Sequence, residues 1–204
     1  MYIDWKNQEI IFKIVYYGPG LGGKTTNLEY IHSRLDPTCR SELISFKTSV
    51  ERTLYFDFIQ IETRAINGKR PRFNLYTVPG QAQYGFGRKL VLNGTDALVF
   101  VADSQEGRMD DNLASLQDLE EKLALYGRSL RSVPWLIQYN KRDLPSALSL
   151  PLLQKRLNFF NVPYIEAVAV KGIGVMETLR LVIQLAVQSY TVSEQPERLT
   201  QARE

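Results

Sequence analysis

The sequence predicts an α/β fold in which a mostly parallel sheet, with one antiparallel hairpin strand, carries helices on both faces. Apolar runs of strand length alternate with segments of helical spacing, and one pair of strands is joined by a hairpin signal. The first strand also leads directly into a glycine-rich loop and a helix. We therefore expect a single domain over residues 1–192, followed by a polar, flexible tail over residues 193–204.

The first third of the chain shows a strand, a loop and a helix in that order. An apolar run over residues 10–17 predicts a buried strand, and the glycine-rich loop occupies residues 18–25. The helix that follows is expected to end near Leu35, because Asp36-Pro37 cannot continue it. Residues 38–51 are polar and predict a loop longer than usual, which in a compact domain is often functional.

The next two strands are predicted to be antiparallel neighbours. Residues 54–62 and 72–78 are rich in strand-forming residues, and Asn67-Gly68 between them is a strong hairpin signal. Pro79-Gly80 ends the second of these strands. A second polar, glycine-rich loop is expected over residues 81–87.

The second half of the chain predicts alternating helices and strands. The run over residues 97–102 is continuously apolar, which is typical of a strand buried on both faces. The remaining elements are expected at residues 88–92 (helix), 113–126 (helix), 133–139 (strand), 152–159 (helix), 164–168 (strand) and 175–190 (helix).

Composition and charge narrow the possible partners. The net charge of +3 is mild and does not argue for binding to nucleic acid or to a membrane surface. Cys39 is the only cysteine, so the chain cannot form an internal disulfide, and this fits a reducing compartment. No apolar run approaches the length of a membrane span, and no lipidation signal is evident. We expect a cytoplasmic protein without a direct membrane anchor.

The glycine-rich loop has the sequence of a phosphate-binding P-loop. Its glycines allow successive N–H groups to point inward, and the following helix adds its partial positive charge. Lys24 is expected to reach the β- and γ-phosphates, and the Thr25 hydroxyl to bind Mg²⁺. The alternative, a glycine-rich turn that only happens to carry Lys-Thr, fits the strand–loop–helix context less well. Nucleotide contacts are predicted for Gly18, Gly20, Leu21, Gly22, Gly23, Lys24, Thr25 and Thr26.

A second motif, Asn140-Lys141-Arg142-Asp143, follows an apolar strand and predicts guanine recognition. The carboxylate of Asp143 can accept hydrogen bonds from guanine N1 and N2. Adenine has an acceptor at N1 and no N2 amine, so it would leave the carboxylate unpaired. Asn140 can connect this loop to the P-loop, and the Lys141 stem can lie over the base. The alternative is an ordinary polar loop that caps the next helix.

Together these motifs resemble those of small Ras-like GTPases, whose guanine motif is Asn-Lys-x-Asp. The resemblance covers residues 9–190 and implies the P-loop G-domain fold. Glu166-Ala167-Val168-Ala169 is similar to the last motif of that family. The resemblance implies that Val168 and Ala169 contact the nucleotide, with the Ala169 N–H donating to the guanine oxygen.

Four segments together resemble a narrower group, the MglA family of bacterial GTPases of cell polarity and gliding motility. They are Tyr-Tyr-Gly-Pro-Gly at residues 16–20, Glu-Arg-Thr-Leu at 51–54, Leu-Tyr-Thr-Val-Pro-Gly-Gln at 75–81 and the guanine motif. The resemblance implies a switch that hydrolyses GTP to GDP and phosphate and acts at a cell pole. It also implies a Roadblock-type homodimeric activating partner, MglB, and downstream effectors.

The third motif, Thr77-Val78-Pro79-Gly80, departs from the Asp-x-x-Gly motif of ordinary Ras-like proteins. Thr77 occupies the position of an aspartate that lies near Mg²⁺, so a weaker hold on the ion is expected. The MglA family shares this threonine. Gly80 is expected to offer its N–H to the γ-phosphate. Gln81 matches the residue that orients the attacking water, although it could instead be an exposed loop residue.

Two further residues are catalytic or metal-binding candidates. Thr53 matches the switch threonine that contacts Mg²⁺ and the γ-phosphate, with Thr48 as a rival in the same loop. Arg52 could act as an arginine finger in cis and neutralise charge in the transition state. The alternative is a solvated arginine that pairs with Glu51.

The sequence leaves two other functions open. A nucleotide-binding scaffold with negligible turnover is supported by the neutral Thr77 and opposed by Gln81. A small-molecule kinase on the same scaffold would need an arginine-rich lid, of which the sequence shows no cluster.

Overall fold

The structure is a computed structural model that describes residues 1–46, 56–63, 70–79 and 85–201. Within these residues there are eight strands and five α-helices. The strands are β1 (Tyr2–Asp4), β2 (Glu9–Tyr17), β3 (Ile44–Phe46), β4 (Phe56–Glu62), β5 (Arg70–Thr77), β6 (Ala97–Asp103), β7 (Trp135–Asn140) and β8 (Tyr164–Glu166). The helices are α1 (Lys24–Arg34), α2 (Gly85–Leu92), α3 (Met109–Ala124), α4 (Leu150–Leu157) and α5 (Val175–Gln201).

All eight strands form one sheet, and the order along it is β3-β4-β5-β2-β6-β7-β8. Strands β5, β2, β6, β7 and β8 are parallel, whereas β4 is antiparallel to both β5 and β3. Strand β1 pairs antiparallel with the beginning of β2. The predicted mostly parallel sheet with one antiparallel hairpin is confirmed. Parallel strands end at the same edge, so the loops after β2, β6, β7 and β8 meet there.

The sheet is covered by helices on both faces, as the sequence predicts. Alternate residues of β2 point in opposite directions: Ile14 and Tyr16 contribute to one core, Val15 and Tyr17 to the other. Helices α1 and α5 pack on the first face, and α2, α3 and α4 pack on the second. None of these four side chains is exposed, so β2 is the centre of the fold and sets the direction of the loop that follows it.

Three features differ from the sequence expectations. Strand β1 lies where a lead-in was expected, and β3 lies within the loop predicted for residues 38–51. Both strands have three residues and are held by backbone pairing, so neither is long enough to show an alternating pattern. Helix α5 continues to Gln201, beyond its expected end at residue 190.

The flexibility of residues 193–204 stays a prediction, and the hairpin signal Asn67-Gly68 lies outside the described residues. No helix in the described part of the chain is both long and apolar enough to cross a membrane.

Candidate nucleotide-binding site

The loop between β2 and α1 is wrapped too tightly to carry side chains at two of its glycines. Gly18 and Gly23 have φ angles of 138° and 100°, in the region that favours glycine. A Cβ atom on Gly18 would lie 2.3 Å from the carbonyl oxygen of Val101, and one on Gly23 would lie 2.2 Å from Nδ2 of Asn140. Glycine at these two positions therefore permits the curled loop that a phosphate group requires.

The P-loop lysine is folded back onto its own loop. Lys24 Nζ donates to the carbonyl oxygens of Gly18 at 2.9 Å and Pro19 at 2.7 Å. Burial, together with the positive charge of Arg88, lowers the pKa of Lys24 to about 7, and the negative charge of Asp57 opposes the shift. A phosphate group would supply the anionic partner that this buried ammonium group needs.

A cavity of about 280 Å³ opens beside the P-loop, at the edge where the parallel strands end. It is bounded by the P-loop with the start of α1, by the loop after β7, and by the loop after β8. Eight of the predicted nucleotide-binding residues line it: Leu21, Gly23, Thr26, Asn140, Lys141, Asp143, Val168 and Ala169. The structure therefore brings the predicted phosphate and guanine motifs together around one space.

Asn140 joins the three loops around the cavity. Its Nδ2 donates to the carbonyl oxygen of Gly22 at 2.8 Å, and its Oδ1 accepts from the N–H of Ala169 at 2.9 Å. The side chain is buried, so both hydrogen bonds are shielded from water. The prediction that Asn140 connects its loop to the P-loop is confirmed.

The same contact changes the expectation for the guanine oxygen. Because the Ala169 N–H donates to Asn140, it is already engaged within the protein. The next residue, Val170, is 76% exposed and lines the cavity. We therefore expect the Val170 N–H, one position further along than the motif predicted, to donate to the base. The motif consists of small apolar residues, so the sequence could not fix its register.

Asp143, the predicted base-reading carboxylate, points to the same cavity and forms an ion pair with Lys171 at 3.0 Å. The hydrogen bond from Lys171 lowers the pKa of Asp143 below its ordinary value. The carboxylate is therefore charged and accepts hydrogen bonds only, which is the state that reading guanine N1 and N2 requires.

A chain of charged contacts connects the guanine loop to the P-loop. Lys141 Nζ lies 2.6 Å from Oδ2 of Asp103, which is fully buried at the end of β6. Arg108 Nε lies 3.5 Å from the same carboxylate oxygen, and Arg108 Nη2 donates to the carbonyl oxygen of Gly20 at 2.6 Å. Sequence reasoning missed Asp103 and Arg108. The available signal was a carboxylate placed directly after the apolar run of β6.

The Thr25 hydroxyl, the predicted metal ligand, contacts a carboxylate that was not predicted. Thr25 Oγ1 donates to Oδ2 of Asp57 at 2.6 Å, and Thr77 Oγ1 donates to the same oxygen at 2.9 Å. Ser45 Oγ donates to the other oxygen, Oδ1, at 2.7 Å. Three hydroxyl groups, those of Thr25, Ser45 and Thr77, therefore surround the carboxylate of Asp57 beside the P-loop.

The sequence did contain a signal for Asp57. In β4 the buried positions are Asp57, Ile59 and Ile61, with less buried residues between them. A charged residue in phase with the apolar, core-facing residues of a strand is unusual and indicates a specific partner.

Arg88 holds the beginning of α2 against the end of β5. Its Nε donates to the carbonyl oxygen of Pro79 at 2.9 Å, and its Nη1 lies 2.7 Å from Oδ2 of Asp118 on α3. The Tyr17 hydroxyl also donates to Asp118. This partly buried network connects Pro79, at the end of β5, to α2 and α3.

The remaining predicted residues cannot be placed in this site. Arg52, Thr53, Thr48, Gly80 and Gln81 all lie outside the described residues. Their roles therefore stay predictions from the sequence.

Comparison with known proteins shows that this chain is similar to a protein family and to a gliding-motility protein. Residues 5–186 match the model of the ADP-ribosylation factor family. The mutual gliding-motility protein MglA of Myxococcus xanthus strain DK1622 is 50% identical over 184 residues, which are 90% of this chain and 94% of that protein. The family match includes both the P-loop and the guanine loop.

Proposed function

Because the chain belongs to the ADP-ribosylation factor family of small GTPases, we propose that it is a GTP-binding switch that hydrolyses GTP to GDP and phosphate. The observation that supports this most is the junction at Asn140, where the base-reading loop and the phosphate-binding loop share one side chain. A site of this kind binds the two ends of one nucleotide at a fixed separation.

Guanine selection is assigned to the charged carboxylate of Asp143, which accepts from N1 and N2 of the base. The aliphatic stem of Lys141 covers the base, and the ion pair with Asp103 holds the lysine in that position. The backbone N–H at Val170 donates to the guanine oxygen. Adenine would leave Asp143 unpaired, so ATP should bind poorly.

The phosphates are assigned to the P-loop and to Lys24, whose ammonium group is buried beside the curled backbone. The residues around Thr25 fit Mg²⁺, because hydroxyl and carboxylate oxygens are the ligands that this ion prefers. When bound, Mg²⁺ would neutralise charge on the β- and γ-phosphate oxygens. Thr25, and Thr53 from the switch loop, are proposed to hold it.

Hydrolysis is assigned to two residues that the sequence motifs single out. Gln81 is proposed to orient the attacking water, and Arg52 to neutralise charge on the transferred phosphoryl group. The γ-phosphate holds residues 38–54 and 80–87 in one arrangement, and its loss releases them. A Roadblock-type homodimeric protein of the MglB kind is proposed to bind the GTP form and accelerate turnover.

The cellular role is proposed from the relative named above, a gliding-motility protein. We propose that the switch acts in the cytoplasm, is recruited to a cell pole, and controls polarity and motility through downstream effectors. The alternative is a nucleotide-binding scaffold with negligible turnover, which the neutral Thr77 favours.

Phosphate release from GTP, measured with and without the cognate Roadblock-type protein, tests the proposal. Slow release that the partner accelerates at least 100-fold, with ATP inert, is the expected result. Gln81→Leu should abolish the acceleration while GTP binding is retained. Gln83→Leu, in the same loop, is the matched control and should behave as the wild type.

Two results would contradict this proposal. GTP that is bound but never hydrolysed, with or without the partner, would favour the scaffold. Partner-stimulated release that is as fast in Gln81→Leu as in the wild type would remove the catalytic role of Gln81. Arg52→Lys separates charge from geometry: it keeps the positive charge and loses the planar guanidinium, and most of the stimulated rate should be lost.

A further inference from the structure

We propose that Asp57 is the carboxylate that positions Mg²⁺ at Thr25, in place of the acidic residue that position 77 lacks. This inference rests on the proposed function, because it concerns the metal bound with a guanine nucleotide. It assigns the role to a residue of β4, a different strand from the one that carries the third motif.

The contacts of Asp57 place it beside the metal-binding hydroxyl. Its Oδ2 accepts from Thr25 Oγ1 at 2.6 Å, and Thr77 Oγ1 donates to the same atom at 2.9 Å. A carboxylate at this distance from Thr25 is well placed to accept hydrogen bonds from water molecules around an ion on that hydroxyl. Partners of this kind orient the ligands of a metal and strengthen its binding.

The charge of Asp57 acts on the buried ammonium group of Lys24, but within the described residues it is not balanced by a direct ion pair. The residue is 8% exposed, and its described hydrogen-bond donors include three neutral hydroxyl groups. No lysine or arginine in the described part of the chain forms an ion pair with it. Buried charges in proteins are normally paired or bound to metals. A divalent cation at Thr25 would give this carboxylate a positive partner at close range.

The ligand chemistry favours Mg²⁺ over a metal held by the protein alone. Among residues 1–46, 56–63, 70–79 and 85–201, no three histidine, cysteine or acidic side chains form a metal-binding group. One carboxylate with hydroxyl groups is the arrangement that Mg²⁺ uses when phosphates and water complete its coordination.

The pairing of β4 with β5 explains why the residue at position 77 is neutral. The register that pairs Phe58 with Tyr76 brings Asp57 beside Thr77, and the Asp57 N–H donates to Thr77 Oγ1 at 2.9 Å. An aspartate at position 77 would place two carboxylates side by side, and their repulsion would destabilise both charged forms. The neutral Thr77 thus accommodates the carboxylate supplied by the neighbouring strand.

The test is the Mg²⁺ dependence of nucleotide release. Dissociation of a fluorescent GDP analogue is followed over a series of free Mg²⁺ concentrations for the wild type and Asp57→Asn. The amide keeps the shape of the carboxylate and removes its charge. We expect the Mg²⁺ concentration for half-maximal retention to rise about 10- to 100-fold, with unchanged release in excess EDTA.

Ser45→Ala is the matched control, because it removes another hydroxyl from the same carboxylate and leaves the charge in place. Its half-maximal Mg²⁺ concentration should stay within about threefold of the wild type. The swap variant Asp57→Asn with Thr77→Asp returns one carboxylate to the usual position, and it should restore Mg²⁺ dependence. A purely structural role for Asp57 would not produce that rescue.

Each outcome decides the proposal. An Asp57→Asn protein with wild-type Mg²⁺ dependence would overturn the role of Asp57 and leave the proposed GTPase function standing. A wild type that retains no guanine nucleotide at any Mg²⁺ concentration would overturn both. If Asp57→Asn does not fold, the swap variant carries the test: wild-type Mg²⁺ dependence supports the proposal, and a shift of tenfold or more contradicts it.

Discussion

The base end and the metal end of the site are built in different ways. At the base end, protein groups are already bonded to one another, because Asn140 joins the P-loop to the loop after β8. At the metal end, Thr25 and Thr77 both donate to the single carboxylate of Asp57, whose charge is not balanced by an ion pair within the described residues. The base end is thus preorganised, whereas the metal end is completed only by its ligand.

This difference suits a switch. Guanine is present in both GTP and GDP, so the end that reads it has no reason to change between the two states. The γ-phosphate is present in one state only, and the groups that respond to it must be able to rearrange. The buried hydrogen bonds of Asn140 lie at the base end, and the carboxylate of Asp57, which has no ion pair within the described residues, lies at the metal end.

The largest effect is expected at the base end, from Asp143→Asn. An amide cannot accept hydrogen bonds from both N1 and N2, so the affinity for GDP should fall on the order of 1,000-fold. Competition against a fluorescent GDP analogue measures it. Xanthosine diphosphate, which has an oxygen in place of the N2 amine, should be preferred by the variant. Glu166→Gln changes a nearby exposed carboxylate in the same way and should have no effect; a similar loss there would refute the assignment.

The contacts of Asp118 with Tyr17 and with Arg88, whose charge acts on the P-loop lysine, are tested by Asp118→Asn. The variant weakens the hydrogen bonds from Arg88 and Tyr17, so the free energy of unfolding should fall by about 2 kcal/mol at pH 7. Chemical denaturation measures it, with the exposed Glu121→Gln on the same helix as control. Affinity for GDP should change less than threefold, because the base end is intact. A large loss of affinity would show that the two ends are not independent.

The pH dependence of this variant has a definite sign. Burial alone would raise the pKa of Asp118, but hydrogen bonds from Tyr17, Arg88 and Lys122 outweigh it and lower the pKa. A lowered pKa in the folded state means that the stabilisation is complete above the ordinary value and is lost as the pH falls through the folded value. The stability difference between wild type and Asp118→Asn should therefore be constant near neutral pH and shrink below about pH 4.

Arg108→Ala tests the connection between the guanine loop and the P-loop. The variant removes one partner of the buried Asp103 and the hydrogen bond to Gly20. Because Lys141 still pairs with Asp103, we expect the binding free energy of GDP to weaken by only about 1 kcal/mol. This corresponds to roughly fivefold faster release of GDP. Stopped-flow release measures it, and Arg180→Ala on an exposed face of α5 is the control. An unchanged rate would show that the contact between Arg108 and Gly20 does not stabilise the P-loop.

The sequence predicted those parts of the site whose residues are neighbours along the chain. The P-loop and the guanine loop are each a strand end, a loop and the start of a helix, so spacing alone places their residues. The role of Asn140 in connecting the guanine loop to the P-loop could also be predicted, because it follows from the position of this residue in the guanine motif. The parallel sheet then brings the two loops to one edge, and the alternation of strands and helices predicts that sheet.

The sequence did not predict contacts that depend on how separate strands are aligned. Asp57 meets Thr25 because β4 pairs with β5 in one particular register, and a shift of one residue would turn it to the other face. Arg108 reaches Gly20 across a sequence separation of 88 residues. The register of the loop after β8 follows from one hydrogen bond at Ala169, which no residue type in that apolar stretch could reveal.

The smallest effect is expected from Lys171→Ala. Lys171 is exposed, and pairs of this kind contribute little to stability because water screens them. Its removal also frees Asp143 to accept from the base, so GDP affinity should stay within about threefold of the wild type. Equilibrium titration with the fluorescent GDP analogue measures it beside Asp143→Asn. If Lys171→Ala instead weakened binding as much as Asp143→Asn, the lysine itself would contact the nucleotide, and the base end would depend on an exposed side chain rather than on its buried hydrogen bonds.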